Sequence, residues 1–202
     1  MYKAACFLVF LLAAAAPLAA CSSDDDDDDG SGGDGDTDGD GDGDTDGDAD
    51  FDDCVTGVQQ GGSEVFYGSS DEGGVIKYRW TSAAQDSALL IEIYSSYGAP
   101  SAPGTYSIDA IEANYQTCGL CILVFADDGS TVYMPVAGSG SMTLTDYSLS
   151  NPVGTTLSGG FTVEMQEVTI NESTLVTTPV AGGCTGTLSA TFDGTVVAFP
   201  EG

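Results

Sequence analysis

The sequence predicts an all-β fold for residues 54–202, with an antiparallel β-sandwich as the first architecture and a β-barrel as the second. Three observations predict this class. Runs of β-branched and aromatic residues alternate with polar residues, as in strands with one buried face. The runs are short and separated by Gly, Ser and Asn, which suits roughly eight to ten strands. No stretch repeats apolar residues at a helical period between capping residues.

The first predicted strands each have one apolar face. Residues 75–80 place three large apolar side chains on one face, which we expect to be buried. The opposite face carries Lys77 and Arg79, the only cations of this domain. Residues 88–94 repeat the two-residue period with leucine and isoleucine. Residues 95–104 contain two prolines and two glycines and are therefore predicted to form a loop.

The next strands include the predicted centre of the sheet. Residues 121–125 are apolar on both faces, which is typical of a strand buried on both sides. Asp127-Asp128-Gly129 predicts a turn that leads into a strand at 131–136. Near the end of the chain, Asp193-Gly194 predicts a hairpin turn, with the return strand at 195–199.

The strand predicted around residues 161–170 has an irregular apolar pattern. Phe161 begins a two-residue period that continues to residue 165 and then slips by one, to Val168 and Ile170. An extra residue in one strand of a pair produces such a slip. The sequence therefore predicts a β-bulge near residues 166–167.

Charge and composition exclude several classes of function. The chain has 3 basic and 32 acidic residues and no histidine. Residues 54–202 contain two basic and 15 acidic residues, a net charge of −13. Nucleic acids and anionic membrane surfaces require a positive field, so neither is an expected partner. Without histidine, Ser/His and Cys/His nucleophilic arrangements are excluded, and we predict a protein that is not an enzyme.

The N-terminus has the pattern of an export signal. Lys3 precedes an uncharged run at 4–16, which suits a secretory signal peptide better than a retained membrane span. The following Leu18-Ala19-Ala20-Cys21 resembles the lipobox of bacterial lipoproteins. This resemblance implies cleavage before Cys21 and acylation of its thiol and amine, with palmitate-type chains that anchor the protein stably. Ser22 and the acidic run after it resemble signals for the outer membrane and the cell surface.

The sequence therefore predicts three parts. Residues 1–20 form a lipoprotein signal peptide, residues 21–53 a lipidated cysteine followed by a tether, and residues 54–202 a single disulfide-bonded domain. The tether contains 17 of the acidic residues and is a low-complexity mixture of Asp, Gly, Ser and Thr. Such a composition predicts a disordered, self-repelling linker. Its 32 residues from 22 to 53 would reach roughly 105–115 Å when fully extended.

The end of the tether carries a candidate calcium site. Aspartates alternate with small residues from 42 to 53, a pattern that resembles thrombospondin type 3 repeats. Calcium takes six to eight oxygen ligands, and alternating carboxylates on a turning backbone supply them. The resemblance implies weak binding, about 10⁻⁴–10⁻³ M, whereas a merely solvated linker is the interpretation we favour. The candidate ligands are Asp42, Asp44, Asp46, Asp48, Asp50 and Asp53.

Four cysteines remain after the lipobox: Cys54, Cys118, Cys121 and Cys184. An even number in an exported protein predicts two structural disulfides, in preference to a redox pair or a zinc site. If residues 118–121 are extended, the two thiols point to opposite faces and bond distant partners, which is our expectation. If Gly119 makes a turn, Cys118 bonds Cys121, and Cys54 bonds Cys184.

The predicted function is display of a non-catalytic β domain on a lipid anchor at the bacterial outer membrane. The domain binds an extracellular ligand, protein or glycan, or supports the envelope. The alternative is an extracellular, carboxylate-dependent glycan hydrolase, which needs two acids about 5–5.5 Å or 6.5–9.5 Å apart. Four tyrosines lie near the long loops: Tyr94, Tyr97, Tyr106 and Tyr115. We expect them to pack in a small satellite core beside the main one, and the alternative is that they line a binding surface.

Overall fold

The computed structural model describes residues 51, 54, 55, 58, 62–70 and 73–199. They form an all-β fold, as the sequence predicts, with short 3₁₀ turns at Ser95–Tyr97 and Asp127–Gly129. The strands are β1 (Gly62–Ser70), β2 (Gly73–Thr81), β3 (Ala88–Tyr94), β4 (Gly104–Ile108), β5 (Leu120–Ala126), β6 (Thr131–Pro135), β7 (Gly140–Asp146), β8 (Thr156–Ile170), β9 (Thr177–Pro179), β10 (Thr185–Thr195) and β11 (Val197–Ala198).

All eleven strands belong to one sheet, in the order β11-β1-β2-β3-β5-β6-β8-β7-β4, with β9 and β10 also paired to β8. The pairs are antiparallel except for β1 with β11. Strand β8 is 15 residues long and pairs with four others. Strand β10, which pairs with β8, continues after Val196 into β11, and β11 pairs with β1. The succession of neighbouring strands from β1 to β8 therefore returns to β1, and the sheet surrounds its core.

The main core contains inward side chains from every long strand. Ile76, Tyr78 and Trp80 of β2 are buried, which confirms the face predicted for that strand. The inward residues of β3 are also buried, as their period predicts. Fully burying one such large apolar side chain contributes about 1.5–3 kcal/mol, so this core stabilises the fold strongly.

A second cluster covers the outer face of β3, β5, β6 and β8. Its buried members are Tyr94, Tyr115, Cys118, Cys121, Leu123, Met134 and Val168. Tyr115 and Cys118 belong to residues 109–119, which we call the covering segment. Strand β5 pairs with β3 and β6 and has buried side chains on both faces, so the predicted central strand is confirmed.

The predicted bulge at residues 166–167 is wrong. Strand β8 keeps a continuous register with β6 from Met165 to Val168, and its pairing with β10 is continuous up to Gln166. Phe161 and Met165 face the main core, whereas Val168 belongs to the second cluster on the other face. The apolar pattern slips because the buried face changes, and no residue is inserted. The register shift that the structure does contain lies in β7, between Leu144 and Asp146.

The predicted hairpin at Asp193-Gly194 is also wrong. Both residues lie inside β10, where Gly194 pairs with Leu157 of β8. A Cβ atom at Gly194 would lie only 2.5 Å from Cγ2 of Val65. The glycine therefore allows β10 to pass close to β1, and the chain continues into β11 without reversing.

The disulfides are Cys54–Cys184 and Cys118–Cys121, so our expectation of distant partners for Cys118 and Cys121 is wrong. Strand β5 begins only at Leu120, which leaves Cys118 and Gly119 in the turn that precedes it. That turn brings the two Cα atoms within 5.4 Å. A Cβ atom at Gly119 would lie 2.5 Å from the carbonyl oxygen of Tyr97, so the turn packs closely on the preceding loop.

Candidate functional site

The outer face of β4, β7, β8 and β10 presents two rows of small hydroxyl residues. Strand registers place each row perpendicular to the strands. The first row is Thr105, Thr143, Gly160 and Thr191; the second is Ser107, Ser141, Thr162 and Ser189. We call these eight residues the hydroxyl face. The inward neighbours on the same strands, such as Met142 and Phe161, are buried in the main core, so alternation directs the hydroxyls outward.

A shallow groove of about 530 Å³ crosses the hydroxyl face. It lies over Gly160, where the first row has no side chain. Its lining includes Ser141, Thr143, Gly160, Thr162, Ser189 and Thr191. A methyl group at Gly160 would lie 3.1 Å from the carbonyl oxygen of Ala190, so even alanine would crowd β10 here.

Hydrogen bonds between neighbouring strands orient the hydroxyls. Oγ1 of Thr105 and Oγ1 of Thr143 are 2.9 Å apart, as are Oγ1 of Thr162 and Oγ of Ser189. A hydroxyl has one donor and two acceptor positions, so each pair retains hydrogen-bonding capacity toward the groove. The hydroxyl face is therefore preorganised to exchange hydrogen bonds with a polar ligand.

The two rows contain no charged side chain, although the domain is strongly acidic. Acidic residues occur only in the flanking rows: Asp146 and Asp193 are aligned with Ser158, and Glu164 is aligned with Thr187. These carboxylates disfavour an anionic ligand at the ends of the groove. The electrostatics therefore suit a neutral ligand.

A buried polar cluster lies on the outer face of β2 and β3, under the covering segment. Lys77 and Glu92 are directly opposite each other in neighbouring strands, and Nζ lies 2.6 Å from Oε1. Only 7% and 1% of these side chains are exposed. The hydroxyl of Tyr115 donates a hydrogen bond of 3.0 Å to Oε2 of Glu92 and lies 3.4 Å from the hydroxyl of Tyr94.

Sequence reasoning missed the burial of Lys77. It placed the cation opposite the buried face of β2, which is correct, but Lys77 is buried on that second face as well. The available signal was Glu92, a single charge within the apolar run 88–94. Burial, and then the nearby charge of Glu92, raise the pKa of Tyr94 far above its usual value, so that phenol stays protonated.

Asp109 and Glu112 in the covering segment form a hydrogen-bonded carboxyl pair. Partial burial, the hydrogen bond with Asp109 and its negative charge together raise the pKa of Glu112 to about 7. The pKa of Asp109 is lowered, first by the hydrogen bond that the backbone N–H of Ile111 donates, at 2.7 Å, and then by Glu112.

The positions of the four tyrosines agree better with the expected satellite core than with a binding surface. Tyr94 and Tyr115 are buried in the second cluster, and Tyr97 packs against it. Tyr106 lies elsewhere, beside the main core, where its hydroxyl donates to the carbonyl oxygen of Ala102.

The predicted lipidation site Cys21 and the candidate calcium ligands Asp42 to Asp53 lie outside the described residues. Among the residues that the structure does describe, no group of three or more His, Cys, Asp or Glu side chains gathers to hold a metal ion. Within that same part of the chain, no helix combines the length and apolarity needed to cross a membrane.

Comparison of the chain with protein-family models, with curated proteins and with solved structures found no match.

Proposed function

We propose that this chain is a lipid-anchored protein of the bacterial cell surface whose β domain binds neutral glycans without catalysis. The observation that carries the proposal is the hydroxyl face, an uncharged groove on a domain with a net charge of −13. The lipobox supports anchoring at Cys21, and the acidic tether supports display away from the membrane. The tether is further proposed to bind calcium weakly at Asp42 to Asp53.

The chemistry of the hydroxyl face supports a glycan in preference to an apolar or charged ligand. Sugar hydroxyls donate and accept hydrogen bonds, as do Ser and Thr side chains. Hydroxyls of neighbouring strands repeat about every 4.7–4.9 Å, a spacing that places several contacts along one saccharide chain. The groove is open to solvent, which suits a ligand that lies along the surface.

The test is binding of neutral gluco- and manno-oligosaccharides to the full mature chain by calorimetry or NMR titration. In the double variant Thr143→Val and Thr191→Val, two hydroxyls are lost while shape and β propensity are kept. Each lost hydrogen bond costs about 0.5–1.5 kcal/mol, so we expect affinity to fall about 5- to 150-fold.

The matched control is Thr185→Val, which removes an exposed hydroxyl of β10 outside the groove and should leave affinity unchanged. Absence of binding to every neutral glycan at millimolar concentration would contradict the proposal. So would equal losses of affinity in the double variant and in the control.

A further inference from the structure

We propose that Lys77 and Glu92 condense within the folded domain, so that an amide bond between Nζ and Cδ joins β2 to β3. The geometry is that of reactants already in contact: the two residues are register partners, and Nζ lies 2.6 Å from a carboxyl oxygen. Holding two groups in reactive contact replaces a bimolecular encounter and removes several kcal/mol from a barrier. The proposal is independent of the hydroxyl face.

The reaction balances without an oxidant, reductant or cofactor. A proton passes from the ammonium group of Lys77 to the carboxylate of Glu92, which gives a neutral amine and a neutral acid. The Nζ lone pair attacks Cδ, and Nζ gives up one proton to the departing hydroxyl. The bond from Cδ to that oxygen then breaks, and the oxygen leaves as water. One C–N bond forms and one C–O bond breaks, and the net charge of the pair stays zero throughout.

Tyr115 is placed to assist this reaction. Its hydroxyl donates to Oε2 of Glu92, the oxygen that does not contact Nζ. Negative charge develops on that oxygen as Nζ attacks, and a fixed donor stabilises it most effectively in a site without water. Tyr94 lies 3.4 Å from the Tyr115 hydroxyl and remains a neutral phenol because burial raises its pKa.

The surroundings favour the amide over the ion pair. Burying two charges carries a desolvation cost that their mutual attraction only partly offsets, and the amide removes both charges. Only 7% and 1% of the Lys77 and Glu92 side chains are exposed, which limits the access of the water that hydrolysis would require. Lys77 is also the only lysine after Lys3, so the domain's single side-chain amine is buried against a carboxyl group.

The test is mass spectrometry of the purified full chain. Reduced and denatured, the intact protein should weigh one water molecule less than its processed sequence requires, with any acyl chains on Cys21 counted. Because Asp-Gly sequences in the tether also lose water, the position of the loss has to be established by digestion. Chymotrypsin cleaves after Tyr78 and Leu90, so Lys77 and Glu92 leave in separate peptides unless the amide joins them.

We expect one joined peptide in wild type and no reaction of Lys77 with an amine-acylating reagent in the denatured protein. Two separate peptides of full mass, with Lys77 fully acylated, would show a simple ion pair and overturn the proposal. Thr187→Lys is the labelling control, because it adds one amine at an exposed position that should be acylated completely.

Two variants test the mechanism. Lys77→Arg keeps the cation but lacks the nucleophilic amine, so its peptides should separate and carry no loss of water. Tyr115→Phe removes the assisting hydroxyl, and the joined fraction at a fixed time after synthesis should fall several-fold. An unchanged fraction in Tyr115→Phe would overturn the role of Tyr115, and a joined peptide in Lys77→Arg would overturn the cross-link itself.

Discussion

Folding raises the pKa of Glu112 to about 7, above its ordinary value of 4.5. The folded state therefore holds a proton that the unfolded chain releases. The stabilisation from Glu112 is complete below about pH 4.5 and is lost as pH rises to about 7. Because the side chain is only half-buried, we expect a decrease of about 1 kcal/mol between pH 5 and pH 8.

Urea unfolding at pH 5 and pH 8 measures this effect. Glu112→Gln keeps the hydrogen-bonding shape but does not titrate, so its free energy of unfolding should fall less over the same range. Asp109, whose pKa is lowered, stays ionised over this range, and the acids outside the pair contribute equally to both proteins. An identical pH dependence of wild type and Glu112→Gln would show that the pair does not affect stability in this way.

Individual residues also show which features could be predicted from the sequence and which could not. The alternation in β2 predicted correctly that Ile76, Tyr78 and Trp80 are buried, because side-chain direction is a local property of a strand. It did not predict the burial of Lys77, whose partner Glu92 accepts a hydrogen bond from Tyr115, a residue distant in sequence. The hydroxyl face was missed for a related reason: its rows exist only after strands from separate parts of the chain are aligned.

Strands β8 and β10 illustrate the same point at the scale of elements. A change of buried face in β8 produced the same apolar pattern as an inserted residue. The Asp193-Gly194 pair has the composition of a hairpin turn, but the structure uses its glycine for a close contact with β1. Local patterns located the strands well, whereas pairing partners depend on tertiary packing that a single sequence does not display.

The close contact predicts different costs for two glycine substitutions. At Gly194, a Cβ atom would lie 2.5 Å from Cγ2 of Val65, so Gly194→Ala should destabilise the domain by about 1–3 kcal/mol. At Gly68, also in a strand, the nearest contact would be an ordinary 3.8 Å, and Gly68→Ala should be neutral or stabilise by about 0.5–1 kcal/mol. Urea unfolding of both variants provides the comparison.

A double-mutant cycle with Val65→Ala shows whether this contact causes the cost. Removing Cγ2 of Val65 relieves the crowding, so the two substitutions together should cost less than the sum of their separate effects. Additive costs, or equal costs for Gly194→Ala and Gly68→Ala, would indicate that β10 does not pack against β1 as described.

For the whole molecule, charge divides the chain into parts with different expected behaviour. The net charge is −29, and residues 24–53 carry 17 of the 32 acidic side chains. Composition separates most of this tether from the β domain, because a segment with so few apolar residues cannot offset its conformational entropy by burial. Its end belongs to the domain, since Phe51 is buried in the main core and packs edge-on against Tyr133. Composition does not identify a ligand, because a binding groove depends on the alignment of particular side chains.

Calcium should therefore shorten the mature chain if the repeat at the end of the tether binds it. We expect a smaller hydrodynamic radius, and heat in a calorimetric titration, at about 10⁻⁴–10⁻³ M calcium. The triple variant Asp42→Asn, Asp44→Asn and Asp46→Asn should lose both effects. Its matched control, Asp24→Asn, Asp25→Asn and Asp26→Asn, removes equal charge outside the repeat and should keep them.

Magnesium at the same ionic strength separates specific coordination from screening of the tether's self-repulsion. Screening depends on ionic strength and would contract wild type and both variants alike with either metal. Coordination favours calcium, because magnesium requires stricter octahedral geometry and releases its water reluctantly. A contraction that is the same for both metals and both variants would leave the tether as a simple charged spacer, whose length is set by salt concentration and by the repulsion among its aspartates.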